Sequence, residues 1–190
     1  MAVEVLLDDT SSTRPVDHAR LKRLALGALE AEGLVGDAEL SVHFVDEVEI
    51  AELNAQHLGR KGPTDVLSFP IEDDPLAAIR SRPAGRGSEP QVPSAPVLLG
   101  DVVICPEVAW RNAPDHAGSY EDELALLLVH GILHLLGYDH VRDDEAEVME
   151  AREQQILDAC FREGGTAGRS SCETSGDADP PSRDEDLRGP

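Results

Sequence analysis

The chain has 190 residues, a formal net charge of −22 and 41% apolar residues, which suits one ordinary domain with loose ends and excludes a chain too polar to build a core. So large an acidic excess argues against non-specific adhesion to membranes or nucleic acid, because the mean field repels polyanions. It leaves nucleic acid open as a substrate, since a divalent cation or a basic patch inverts the field locally, and salt adaptation accounts for the acidity equally well.

Aromatics make up only 3% of the chain, so Leu, Val, Ile and Ala must fill the core. The start, MAVEVLLDD, is acidic where a signal peptide is basic, and no stretch reaches the ~20 apolar residues of a membrane span. Cys105, Cys160 and Cys172 are odd in number and form no CxxC pair, which suits reduced thiols. Together these features predict a cytoplasmic protein with no membrane partner.

In chain order, Val3 to Leu7 reads as an edge or near-edge strand. Asp17 to Glu32 has helical periodicity with Leu21, Leu24, Ala25 and Ala28 on one face, and Gly33 stops it. Glu39 to Val45 alternates, with Leu40, Val42 and Phe44 facing a core, and Asp46 with Glu49 resembles a capping pair that opens a helix to Leu58. Val66 to Phe69 and Val102 to Cys105 are strand-length apolar runs, each closed by a proline. Pro106 to Asn112 reads as a short helix. Ser119 to Leu136 is the strongest helix, with Ser119 as its cap, three acids in its first turn and Gly137 beyond its end. A last helix runs from Asp144 to Phe161.

Glu72 to Pro96 holds five prolines without periodicity and reads as a loop or insertion (72–96). Residues 163–190 read as a disordered acidic tail. The expected organisation is therefore one domain over 1–162, of α+β class (mixed α/β layers): a mixed β-sheet with packed helices and a metal site at the end of a long central helix.

That site is read from His130-Gly-Ile-Leu-His134-Leu-Leu-Gly-Tyr-Asp-His140. Residues four apart on a helix share a face one turn apart, so His130 and His134 can reach one ion at ~2.0–2.1 Å. Gly137 turns the chain back, and His140 completes a three-nitrogen set. Three protein ligands leave a fourth position for water, the arrangement of a catalytic rather than a structural zinc. Metzincin metalloproteases use the same spacing, HExxHxxGxxH, but Gly131 stands here where a protease places its Glu general base.

The segment His130 to His140 also resembles the signature of the YbeY family of rRNA-maturation endoribonucleases. Two further segments agree in order: Pro63-Thr64-Asp65-Val66-Leu67-Ser68-Phe69-Pro70 and Leu99-Gly100-Asp101-Val102-Val103-Ile104-Cys105. The resemblance covers roughly residues 38 to 160. It implies a zinc-dependent, single-strand-specific endoribonuclease hydrolysing RNA phosphodiester bonds, with one Zn2+ per chain held by His130, His134 and His140. It further implies action at the 3′ end of small-subunit (16S) rRNA and in ribosome quality control, with RNA, ribosomal subunits and assembly proteins as partners. Many members carry Tyr-Arg before the Pro-Thr segment; this chain has His57 and Leu58.

Arg60 or Lys61 stands near enough in sequence to replace that charge. With Arg111 they are the candidate RNA contacts, and Arg80, Arg82 and Arg86 form a further basic cluster in the long loop. Asp101 and Asp139 are the candidate carboxylates for catalysis or for orienting a ligand, against simpler readings as strand-cap and turn residues. Trp110 and Tyr138 could stack on a base or merely pack; Cys105 reads as a small core residue, and His18, His43, His57 and His116 as ordinary histidines. Two alternatives stay open: a metalloprotease-like hydrolase, and a non-catalytic, zinc-stabilised ribosome assembly factor.

Overall fold

The computed structural model describes residues 3–11, 14–34, 36–72, 74–80, 95–140 and 142–162. Four strands, β1 (Val3–Asp9), β2 (Ala38–Phe44), β3 (Val66–Pro70) and β4 (Val97–Ile104), form one sheet in the order β1-β2-β4-β3. β1 pairs parallel to β2 and β2 parallel to β4, while β3 runs antiparallel to β4. The sheet is mixed, as expected, and Val3 to Leu7 lies on one edge.

The helices are α1 (His18–Ala31), α2 (Glu47–Leu58), α3 (Pro75–Arg80), α4 (Pro106–Asn112), α5 (Tyr120–Leu135) and α6 (Asp143–Leu157). Alternation on β2 decides how they are layered. Leu40, Val42 and Phe44 are buried on one face, where they join Leu24, Ala28 and Leu29 of α1, Leu128 and Ile132 of α5, and Met149 and Ile156 of α6. On the other face a smaller core joins Val45, Ile50, Leu67, Val103, Cys105 and Val108 beneath α2 and α4. Cys105 is fully buried, and burial pushes its thiol pKa up, as an inert core thiol requires.

Short-range chemistry sets the helix starts. The Asp46 carboxylate accepts from the N–H groups of Val48 and Glu49, both at 2.9 Å, while Ser119 Oγ accepts from Asp122 N at 3.1 Å. Glu49 does not close a capping box; its carboxylate meets Thr10 Oγ1 at 3.4 Å. Glu123, one of the first-turn acids, is fully buried and accepts from Ala117 N at 3.3 Å, tying down the turn before α5.

Two expectations need correction. The strand expected at Val102 begins at Val97, because a bulge opposite Glu39/Leu40 carries the ladder through Gly100. The segment 72–96 is not loop throughout: Asp74 Oδ1 accepts from Ala77 N at 2.8 Å and Pro75 opens α3, a cap followed by proline at the first helical position. Arg82, Arg86 and the expected tail lie outside the described residues.

Candidate metal centre

α5 is apolar almost all round because it lies between the sheet, α1 and α6. Gly131 lets it approach the sheet. A Cβ built there would stand 2.6 Å from Val102 Cγ1 and 3.1 Å from Ser68 Oγ, and Ser68 Oγ donates to the Gly131 carbonyl at 3.2 Å. The position that a protease would fill with Glu is thus pressed against β4 and has no room for a side chain.

His130 and His134 project from α5 away from this contact, their rings 4.6 Å apart between centroids. The helix then ends in a Schellman turn. Gly137 N donates to His134 O at 3.1 Å and Tyr138 N to Leu133 O at 3.0 Å, with Gly137 at φ +92°. The turn brings His140 back over the helix end, 5.6 Å from the His130 ring and 5.0 Å from that of His134. One nitrogen from each of the three imidazoles falls within 4.8 Å of the others, so the trio could hold a metal ion.

The hydrogen bonds fix the tautomers. His130 Nδ1 lies 2.7 Å from Glu153 Oε1 and His134 Nδ1 lies 3.0 Å from the Tyr138 carbonyl. An ionised carboxylate and a carbonyl only accept, so both Nδ1 atoms must carry the proton. The two Nε2 atoms then face each other, 3.1 Å apart. That separation suits a shared ion, since two ligands at 2.0–2.1 Å from a tetrahedral ion stand about 3.3 Å apart. The donor set fits a zinc-like ion. Burial and the neighbouring His130 hold the His134 pKa below its usual range, favouring the neutral form that ligates.

The remaining candidates are dispersed. Asp139 Oδ1 accepts from His140 N at 2.7 Å, a turn contact that places the third histidine. Asp101 points to the sheet face opposite Val102 and lies 3.5 Å from His43 Nε2, in a cleft of about 460 Å³ lined also by Asp8, Glu49, His57 and Phe69; the structure does not bring it to the three histidines. Arg111 is paired with Glu47 at 2.9 Å. Arg60 and Lys61 are exposed between α2 and β3 and make no ion pair among the described residues. Leu58 is also exposed. Trp110 carries the Arg14 guanidinium 3.8 Å from its ring centroid, and the Tyr138 hydroxyl donates to Glu32 at 2.9 Å. Glu153, the carboxylate that orients a candidate ligand, escaped the sequence reading: it lies 23 positions beyond its histidine, and no local pattern marks it.

Comparison with known proteins places the chain in a family. Residues 6–160 match the family model described as Endoribonuclease YbeY. The chain is 46% identical over 143 residues to Endoribonuclease YbeY of Thermobifida fusca, covering 75% of this chain and 85% of that one. It is 43% identical to the Acidothermus cellulolyticus protein of the same name, covering 81% and 90%, and 37% identical to that of Staphylococcus saprophyticus, covering 80% and 92%. In fold it is similar to the solution structure of TM1509 from Thermotoga maritima, with a TM-score of 0.52 at 24% identity over 90% of this chain and all of that one. Sequence likeness over this span, three ordered motifs and a three-histidine cluster lead to one conclusion: the chain belongs to the YbeY endoribonuclease family.

Proposed function

We propose that this chain is a zinc-dependent, single-strand-specific endoribonuclease of the cytoplasm. In this reading it matures the 3′ end of small-subunit (16S) rRNA and serves ribosome quality control, with ribosomal subunits and assembly proteins as partners. The observation that carries the reading is the pair of Nε2 atoms held 3.1 Å apart, beside His140. Family membership supplies RNA as the substrate class.

Zinc bound by His130, His134 and His140 would supply Lewis acidity toward a phosphoryl oxygen and bring the pKa of a water to about 7. Glu153 and the Tyr138 carbonyl keep both Nδ1 atoms protonated and stop the rings from turning away. Three neutral imidazoles add no negative charge, which suits an anionic phosphodiester. Arg60 or Lys61, both exposed, is the candidate to contact the strand's phosphates in place of the arginine missing at Leu58. Asp139, exposed beside His140, is the carboxylate in sequence reach for moving a proton; Asp101, on the other face, takes no part. The crowding at Gly131 weighs against a peptidase, which needs a carboxylate there.

The test is cleavage of a fragment from the 3′ end of small-subunit rRNA by purified protein, beside a His134→Ala variant prepared identically and shown by circular dichroism to be folded. The reading expects cleavage by the wild type alone, abolished by a chelator. Equal cleavage by both contradicts it. Cleavage by neither, with intact ribosomal subunits also left uncut, transfers support to a non-catalytic assembly factor.

A further inference from the structure

The groups that hold the two histidines are themselves held by a single residue. Glu32, at the C-terminal end of α1, has a side chain only 7% exposed. Its carboxylate accepts from the Tyr138 hydroxyl at 2.9 Å and from Arg152 Nε. Arg152 Nη2 donates in turn to the Ala31 carbonyl at 2.6 Å, so the guanidinium grips both the side chain and the end of α1. Tyr138 is the residue whose carbonyl receives His134 Nδ1, and Arg152 immediately precedes Glu153, which receives His130 Nδ1. Both acceptor groups of the metal centre therefore lead back to one carboxylate more than a hundred residues away in sequence.

We propose that Glu32 is a positioning residue for the metal centre, clamping Tyr138 and Arg152 so that the Tyr138 carbonyl and the Glu153 carboxylate hold the histidines in their ligating orientation. The inference rests on the metal-binding reading given above. A ligating imidazole needs an acceptor on its other nitrogen, and that acceptor must be fixed for the ring to be fixed. Glu153 sits on α6, and the Tyr138 carbonyl sits three residues beyond the end of α5, so the two acceptors belong to different elements that Glu32 ties to the end of α1. A nearly buried carboxylate with two donors holds both in place, because moving Arg152 leaves a charge unpaired and moving Tyr138 costs a hydrogen bond in a poorly solvated place. Arg152 supplies the second donor in a fork that lysine cannot reproduce.

The test uses the full chain in metal-free form and three variants, Glu32→Gln, Tyr138→Phe and the double substitution. Zn2+ affinity is measured by competition with a chromophoric chelator, and the ligand field by the visible absorption of the Co2+-loaded protein. The clamp predicts that either single change weakens Zn2+ binding by roughly 10–100-fold and alters the Co2+ spectrum. The double change should lose no more than Glu32→Gln alone, since that change already breaks the link that Tyr138→Phe removes. A purely structural role would lower the melting temperature of the metal-free protein and leave the Co2+ spectrum unmoved. If Glu32→Gln fails to fold, Tyr138→Phe, which removes one hydroxyl, carries the test alone. Zn2+ affinity within twofold of wild type and an unchanged spectrum in folded variants overturn the clamp while leaving the metal centre intact. Absence of metal binding in the wild type itself overturns the reading beneath it.

Discussion

The two faces of the sheet carry histidines of opposite character. On the α5 side His130 and His134 each give Nδ1 to a fixed acceptor and turn Nε2 toward a shared point. On the α2 side His43 and His57 line an open cleft; His43 lies beside Asp101 with both side chains about 40% exposed, 39% and 40%, and His57 meets the Phe69 ring edge-on at 4.8 Å. Equal chemistry thus yields a convergent cluster on one face and solvated side chains on the other. What separates them is the acceptor on the second ring nitrogen and the packing that holds it, not the presence of nearby carboxylates, since Asp8, Glu49 and Asp101 also line the cleft.

The most severe way to break this contrast is to fill the space that seats α5. Gly131→Glu places a charge and several atoms where a Cβ alone would stand 2.6 Å from Val102, and the variant should fail to give a cooperative unfolding transition. Gly131→Ala is the graded form. It should lose roughly 1–3 kcal/mol by overpacking, and Val102→Ala in the same chain should restore part of it. Denaturant melts check both, and additive losses in the double variant would show that the two residues do not meet.

Acid offers a milder break confined to one face. Because the native His134 pKa lies below the usual imidazole value of 6.5, the unfolded chain takes up a proton before the native one does. Stability of the metal-free protein should therefore be unaffected by His134 above about pH 6.5 and fall as the pH drops below it. His134→Gln should remove that part of the slope. An unchanged slope would mean that burial of His134 does not resist its charging.

The smallest effects belong to the open cleft. His43→Ala or Asp101→Asn should change stability by less than about 1 kcal/mol, the range of exposed pairs, and leave Zn2+ affinity as it is. A tenfold loss of affinity in either variant would tie the two faces together and erase the contrast.

The elements and the clustering of the three histidines were readable from the chain because local rules govern them. Asp46 and Ser119 cap as their types predict, and Gly137 takes the positive φ that a Schellman turn needs. The three histidines follow from helical spacing plus one turn. What was not readable depends on contacts far apart in sequence. Glu153 and Glu32 look like any acids on helices until α6 and α1 are packed on α5. Asp101 could not be assigned to a face from its own strand, because the bulge near Gly100 shifts the alternation. Gly131 reads in sequence as a missing general base, whereas in the fold it is a point of close packing. α3 was hidden by proline content, since six residues are too few to show a period.

Calorimetric titration of Zn2+ into metal-free protein decides whether His130, His134 and His140, two of them held through Nδ1, form one metal site. The wild type should bind one ion per chain, with binding lost in His134→Ala while the fold persists. Retention of wild-type affinity in His134→Ala, or no binding by the wild type at neutral pH, would contradict that site.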